Sequence, residues 1–320
     1  YSFDSPPGLD GMFLGLHEAG KFDRVFNVDD CRLLSERSNA IMERVRQFAG
    51  ERGLSIYGLK SHIGLLRFLV IREGKNTGEI MINLVTSGEE FPQADEFARM
   101  LVGEFPGITT VVHTINRRSG STALGQECRV LSGDGVIHDR VGKYRYAISP
   151  DAFFQTNTRQ AEHLYDAVRE FAGLCGSERV LDLYCGAGTI ALYLSENAET
   201  VAGVEISPDA VEDARRNAGL NGIGNAVFTA GPVESILDES MGDFDVVICD
   251  PPRAGIHPKA LAMLAMLRIP RMVYVSCNIK ALPADLETLA MAGYRLKALR
   301  ALDMAPHTPH IETVLKLEIN

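Results

Sequence analysis

Three side chains toward the C-terminus have the types and settings needed for covalent chemistry. Cys277 follows the apolar run Met272-Val273-Tyr274-Val275-Ser276, which reads as a buried strand. A thiolate at such a strand end is a nucleophile. Asp250 closes a second run, Phe244-Asp245-Val246-Val247-Ile248-Cys249, and opens Asp250-Pro251-Pro252-Arg253. The two prolines stiffen that turn and carry no N–H groups. In an open α/β sheet, ligands bind at the carboxyl ends of the strands. Asp250 and Cys277 are therefore expected in one mouth. Glu312 enters the last apolar run and can reach that mouth as a general base. Cys175 and Cys249 read as small hydrophobes. His307 and His310 lack the cysteine or acidic partners of a metal site.

A second constellation lies upstream. Val180-Leu181-Asp182-Leu183-Tyr184-Cys185-Gly186-Ala187-Gly188-Thr189 is an apolar strand running into a glycine turn at a helix start. Glycines serve where the backbone approaches a ligand closely or takes positive φ. The string reads as a cofactor site centred on Gly186 and Gly188, although a bare Gly-x-Gly could be only a tight turn. The next strand ends in Glu205, about 20 residues after the glycines, where a carboxylate suits a ribose diol.

The elements that must hold these groups alternate. A helix over 161–174 precedes strands at 179–184, 200–204, 226–229, 244–249 and 271–276. Helices start at 189 and cover 208–221, 258–266 and 280–292. This rhythm predicts a mostly parallel sheet covered by helices. Tyr294–Leu302 and Ile311–Glu318 follow with no helix between them and are expected to end the sheet as an antiparallel hairpin. Residues 1–148 lack a nucleotide-binding signature and read as a smaller α+β unit. It has turn signals at Ser5-Pro6-Pro7-Gly8, Asp10-Gly11 and Ala19-Gly20. A helix spans 35–49, with Ile41, Val45 and Phe48 on one face, and another spans 91–105. Paired strands at 65–71 and 79–85 are followed by strands at 109–115 and 122–131. The expected organisation is therefore 1–148 as a central α+β domain and 149–320 as the catalytic domain.

The bulk properties narrow the class. The net charge is −10, but the first 150 residues carry 18 Lys and Arg against 19 Asp and Glu, so the acidity belongs to the second half. The first half can still present a local basic face to nucleic acid. The six cysteines are scattered, unlike a disulfide scaffold, and point to free thiols in a reducing cytoplasm. No run approaches the roughly 18 apolar residues of a membrane span. The chain begins Tyr1-Ser2-Phe3-Asp4, in what reads as the middle of a strand, so a longer natural protein is expected.

One reaction uses every one of these groups. Carbon 5 of uracil is a poor nucleophile. Addition of a thiolate to carbon 6 makes an enolate whose carbon 5 can take a methyl group from a sulfonium. A base then removes the carbon-5 proton and the thiol leaves. The sequence resembles the bacterial RNA 5-methyluridine methyltransferases. The matching blocks are Phe153-Phe154-Gln155-Thr156-Asn157, the string 182–188, Asp250-Pro251-Pro252-Arg253-Ala254-Gly255, Ser276-Cys277-Asn278 and His307-Thr308-Pro309-His310-Ile311-Glu312, in family order. The resemblance implies a class I methyltransferase fold of the Rossmann type. It implies that Gln155, Tyr184, Glu205 and Asp250 contact S-adenosylmethionine, that Cys277 is the nucleophile and that Glu312 is the base. It also implies that Asp250 lies close to the target base and that residues 1–148 contact RNA.

Two departures accompany it. Gly231-Pro232 stands where family members carry an acidic or amide residue for adenine, and the family's N-terminal OB-like domain and cysteine cluster do not occur in the chain. Cys31 matches the fourth cysteine of the [4Fe–4S] cluster that this branch often holds. The expectation is that the natural protein extends N-terminally and supplies the other three ligands. Val28-Asp29-Asp30-Cys31 and the turn-rich start favour ribosomal RNA over tRNA as substrate. A cytosine-C5 methyltransferase would also use a cysteine, but it carries Pro-Cys where Pro252-Arg253 stands here.

Overall fold

The computed structural model describes residues 1–5, 11–21, 24–238 and 243–319, so the turn residues at 6–10 named above lie outside the described residues. Packing divides the chain into two units, Tyr1–His138 with Ser149–Asp151, and Asp139–Ile148 with Ala152–Asn320.

The first unit contains β1 (Ser2–Asp4), β2 (Phe13–His17), β3 (Val25–Asn27), α1 (Glu36–Glu51), β4 (Leu66–Glu73), β5 (Ile80–Thr86), α2 (Ala94–Glu104), β6 (Ile108–Ile115) and β7 (Glu127–Ser132). Its sheet runs β3-β2-β1-β4-β5-β6-β7. Only β5 and β6 are parallel, joined through α2. Every residue of β5 is buried, as expected of a strand covered on both faces. Ser35 caps α1 by accepting the Ser38 N–H, and Ile41, Met42, Val45 and Phe48 face inward at helical spacing. Phe48 meets Phe97 of α2 with ring centroids 5.4 Å apart.

The expected strand at 122–131 begins only at Glu127. The buried Arg67 guanidinium explains the late start. It donates to the carbonyls of Asn116, Arg118 and Gly120 at 2.6–2.7 Å, and Asn116 Nδ2 donates to the Thr122 carbonyl at 2.7 Å. That backbone is thereby held as a loop.

The second unit takes up β8 (Ile137–Val141) and β9 (Tyr144–Ile148), then α3 (Thr158–Ala172), β10 (Arg179–Leu183), α4 (Thr189–Leu194), β11 (Thr200–Glu205), α5 (Pro208–Leu220), β12 (Ala226–Ala230), α6 (Val233–Ile236), β13 (Val246–Cys249), α7 (Pro258–Leu267), β14 (Arg271–Ser276), α8 (Leu282–Met291), β15 (Tyr294–Leu302) and β16 (Glu312–Ile319). The sheet order is β12-β11-β10-β13-β14-β16-β15. The first five strands are parallel, and β16 is antiparallel to both of its neighbours. This is the α/β architecture the sequence predicts, with its closing hairpin. The strand order reverses between β10 and β13, the kind of switch point where such sheets bind ligands.

The hairpin β8–β9 is not among the expected strands, although Ile137, Asp139 and Val141 alternate with more exposed residues. It packs with the second unit through residues far along the chain. Thr158 Oγ1 donates to the buried Asp139 at 2.7 Å, and Asn217 Oδ1 accepts the Ala147 N–H at 2.8 Å. Asn217 is itself buried, and its Nδ2 donates to the Ala187 carbonyl of the glycine turn at 3.2 Å. Asn217→Ala leaves both partners unsatisfied and is expected to cost about 2–4 kcal/mol of stability. A urea melt that shifts by less than about 0.5 kcal/mol would show that water replaces the side chain.

Candidate active site

Strand β10 delivers the glycine turn. Val180 to Leu183 are fully buried, and beyond them Tyr184, Gly186 and Gly188 all take positive φ, at 64°, 54° and 77°. Left-handed backbone is uncommon for tyrosine, and such strain of roughly 1–3 kcal/mol gathers at ligand sites. The two glycines are required for different reasons. A Cβ on Gly188 would meet Ala214 and the Phe228 ring at 3.0 Å, so close helix packing excludes a side chain. A Cβ on Gly186 would meet nothing within 4 Å, so its backbone borders open space.

Glu205 stands beside this turn because Leu183 pairs with Val204 in register. Its Oε2 accepts the Gly186 N–H at 3.1 Å and its Oε1 the Ser207 N–H at 2.9 Å. The carboxylate thus holds the turn in shape and is more than a solvated strand end. Gln155 and the exposed Phe153 line the same pocket, together with Tyr184, Asp182 and Asp250. Asp182 was quoted in the motif without a role. It is fully buried, and among the described residues no hydrogen bond of ordinary geometry reaches either carboxyl oxygen, the Ala191 N–H giving only a weak pull toward the charged form. Burial, and then the charge of Asp250, push its carboxyl well up. A buried carboxyl without an ordinary hydrogen bond and an open glycine face in one pocket fit a polar ligand such as S-adenosylmethionine. Gly231, after β12, gives its N–H to the Glu205 carbonyl at 2.8 Å, and the first acid of its segment is Glu234, whose charge is felt at Tyr184.

The sheet register assembles the reacting groups. Cys249 lies beside Tyr274 in the parallel pair β13–β14, so Asp250 leaves the sheet near the end of β14. In the antiparallel pair β14–β16, Ser276 faces Thr313. The next residue on one strand is Cys277 and the preceding residue on the other is Glu312, which places them across from each other. All three are half-buried. Burial and the Glu312 charge push the Asp250 carboxyl up to about 7. Burial first, then Glu312 and Asp250, raise the Cys277 thiol, while Arg253 opposes them. Burial likewise raises Glu312 against the pull of Arg253.

Two side chains that the sequence reading gave no role fix the Asp250–Gly255 loop. Asp285 of α8 accepts the Ile256 N–H at 2.9 Å and the Tyr274 hydroxyl at 2.6 Å. Asn278 Nδ2 donates to the Arg253 carbonyl at 2.8 Å, tying the residue after Cys277 to that loop. The signal for Asp285 was an acidic residue on the apolar face of a helix. His307 and His310 are exposed, and among the described residues no group of three His, Cys, Asp or Glu side chains could hold a metal. Cys31 belongs to the first unit, where it packs against that unit's core and its N–H bonds to Asn39 Oδ1 at 3.0 Å. The residues present do not by themselves fit an iron–sulfur cluster.

Known proteins resemble the chain in sequence and fold. A family described as tRNA (Uracil-5-)-methyltransferase matches residues 110–238, and one described as Methyltransferase domain matches residues 176–302. A protein of Halalkalibacterium halodurans, named only as an RNA methyltransferase, is 38% identical over 97% of this chain and 68% of its own length. A protein of the same description from Chlorobaculum tepidum is 39% identical over 95% of this chain and 64% of its own. The chain thus spans about two thirds of these relatives. The crystal structure of Pyrococcus abyssi tRNA (uracil-54, C5)-methyltransferase in complex with S-adenosyl-L-homocysteine superimposes with a TM-score of 0.81 at 32% identity, covering 99% of this chain and 74% of that one.

Glu205→Ala removes the acceptor for Gly186 N–H and any bond to a ligand hydroxyl. Affinity for S-adenosylhomocysteine, measured by calorimetry, is expected to fall about tenfold or more. An unchanged dissociation constant would exclude both roles.

Proposed function

The chain belongs to the RNA uracil-5-methyltransferase family, and on that premise we propose that it methylates carbon 5 of a uridine in RNA through a covalent adduct of Cys277. The single observation that carries this mechanism is the strand register that sets Cys277 across from Glu312 beside Asp250. The enzyme class is a methyltransferase dependent on S-adenosylmethionine, which when bound supplies an electrophilic methyl sulfonium. Gln155, Tyr184, Glu205, Asp250 and the backbone of Gly186 and Gly188 are the groups proposed to hold it.

The remaining chemistry belongs to the chain's own side chains. The Cys277 thiolate adds to carbon 6 of the uracil, and its electron pair leaves carbon 5 nucleophilic. Asp250, pushed up to about 7, still carries a proton in a large fraction of molecules near neutrality and can donate to the pyrimidine's polar edge. Once carbon 5 is methylated, Glu312 takes the proton from it, and the electrons of that C–H bond expel the Cys277 sulfur. Without a base there, the product would stay bonded to the enzyme.

The RNA is proposed to be ribosomal, on the resemblance of the Val28–Cys31 segment. A tRNA target is the second reading, favoured by the Pyrococcus abyssi neighbour, which acts on tRNA. The RNA fraction that loses 5-methyluridine in a strain lacking the gene separates the two. Cys31 is proposed, on the resemblance alone, as one ligand of a [4Fe–4S] cluster whose other ligands would come from outside this chain. Residues 1–148 are proposed to contact the RNA, and the protein is proposed to work in the cytoplasm. No helix among the described residues is long and apolar enough to cross a membrane.

Incubation with cofactor and RNA containing 5-fluorouridine is expected to give a denaturant-stable adduct. Cys277→Ala should form none, and adduct at the wild-type level in that variant would remove Cys277 from the mechanism. Glu312→Gln should trap methylated natural RNA on the protein with turnover reduced by at least about 100-fold, the lower end of general-base contributions. Normal turnover would exclude the role.

Adduct formation with the fluorinated RNA depends on Cys277 ionisation and not on proton removal. With Asp250→Asn, whose amide remains a donor at every pH, its rate should rise with pH beyond the ordinary thiol range of about 8.5, because burial and the Glu312 carboxylate disfavour the thiolate. Adding Glu312→Gln deletes that negative charge, so the rising limb should move to lower pH. A limb that stays put or moves up would contradict the electrostatic coupling.

A further inference from the structure

The first unit holds a cavity of about 350 Å³, within the size range of small-ligand pockets. It is lined by Tyr57, Phe68, Arg67, Arg24, Lys60 and Asp4 among others. The chain carries a net charge of −10, yet among the described residues the formal charges on this lining are three cationic side chains against one carboxylate, with Arg24 also 3.9 Å from Glu18. That carboxylate is already engaged, since Asp4 accepts the Ser5 and Val25 N–H groups at 2.8 and 3.0 Å. Arg67 is only 3% exposed, and its guanidinium carbon lies 4.3 Å from the centre of the Tyr57 ring and 5.7 Å from that of Phe68. Its Nη atoms go to backbone carbonyls, and its buried Nε has no partner. A loop-organising role accounts for the Nη bonds. It does not account for an aromatic, cation-lined cavity beside them with Lys60 and Arg24 exposed at its side.

The chemistry of this lining matches a single nucleotide. Unstacked bases of RNA are held on aromatic rings and guanidinium planes, and their phosphates by basic side chains. An enzyme that reaches carbon 5 of a uridine in folded RNA must open the stack around it, and each nucleotide released needs a new surface. We propose that this cavity binds one unstacked nucleotide of the substrate RNA, with its base against Tyr57 and Phe68 and its phosphate held by Arg24 and Lys60. The inference rests on the RNA-methylating reading of the second unit and adds to it a recognition site on the first.

The test is fluorescence anisotropy of the whole chain with a mixed-sequence single-stranded RNA of about 12 nucleotides, a length within ordinary site sizes. Tyr57→Ala is expected to weaken binding about tenfold, the loss of one stacked base, while Tyr57→Phe keeps the ring and the affinity. Arg24→Glu with Lys60→Glu should lower the slope of log affinity against log salt by at least about 0.7, the neutralisation of one single-strand phosphate. RNA carrying 4-thiouridine should photocrosslink to the segment 57–68 of the wild-type chain. Hydrogen-exchange protection of strands β4 and β5 confirms that the first unit of each variant is folded. If Tyr57→Ala fails to fold, the exposed charge pair and the wild-type crosslink decide. A wild-type chain that methylates RNA, with unchanged affinity and salt slope in the variants and no crosslink at 57–68, overturns the cavity proposal alone. A wild-type chain that neither binds RNA nor makes 5-methyluridine overturns both readings.

Discussion

Antiparallel pairing of β16 against β14 carries Glu312 to Cys277, and the site depends on that register. Ser276 faces Thr313, so the residues one step beyond them meet at the strand ends. A slip of one residue would turn each side chain of β16 to the opposite face of the sheet. Such a slip is resisted because Val314, Leu315 and Leu317 of β16 are buried and would have to exchange places with their neighbours. The hydrophobic pattern of the last strand is therefore part of what sets the geometry of the proposed active site.

The same convergence sets the electrostatics. Five parallel strands bring their carboxyl ends to one edge, and Glu312 arrives there from the opposite direction. Two carboxyl groups and a thiol share a partly desolvated mouth in which Arg253 partly offsets the charge of Glu312 and Cys277 but not of Asp250. Like charges close together in low dielectric cannot all ionise. Asp250 is pushed towards its protonated form, which suits a hydrogen-bond donor, and the Cys277 thiol is held back from ionising in the absence of substrate.

Around the mouth, buried polar side chains do the positioning. Glu205 and Asn217 shape the glycine turn from two sides, and Asp285 and Asn278 fix the loop that carries Asp250 and Arg253. Each bonds to a backbone group, and Asp285 also to the Tyr274 hydroxyl, which holds the pocket-facing loops without occupying the space a ligand needs. Asp182 is the exception, a carboxyl lining the pocket without an ordinary hydrogen bond among the described residues.

Much of this was legible in the amino-acid order. Apolar runs ending at Leu183, Val204, Cys249 and Ser276 mark parallel strands, and topology alone puts their carboxyl ends on the ligand side. That suffices to nominate Glu205, Asp250 and Cys277, the final helix-free pair of strands adds Glu312, and Gln155 and Tyr184 are implied by the family resemblance alone. What the order could not give were relations across long stretches of chain. The bond from Thr158 to Asp139 draws the hairpin β8–β9 into the second unit, and Arg67 collects carbonyls some fifty residues away to end a strand's reach and line a cavity. Local periodicity reports which face of an element is apolar. Which buried polar group meets which backbone carbonyl is decided only when the elements pack, because that choice depends on distances that no single segment contains.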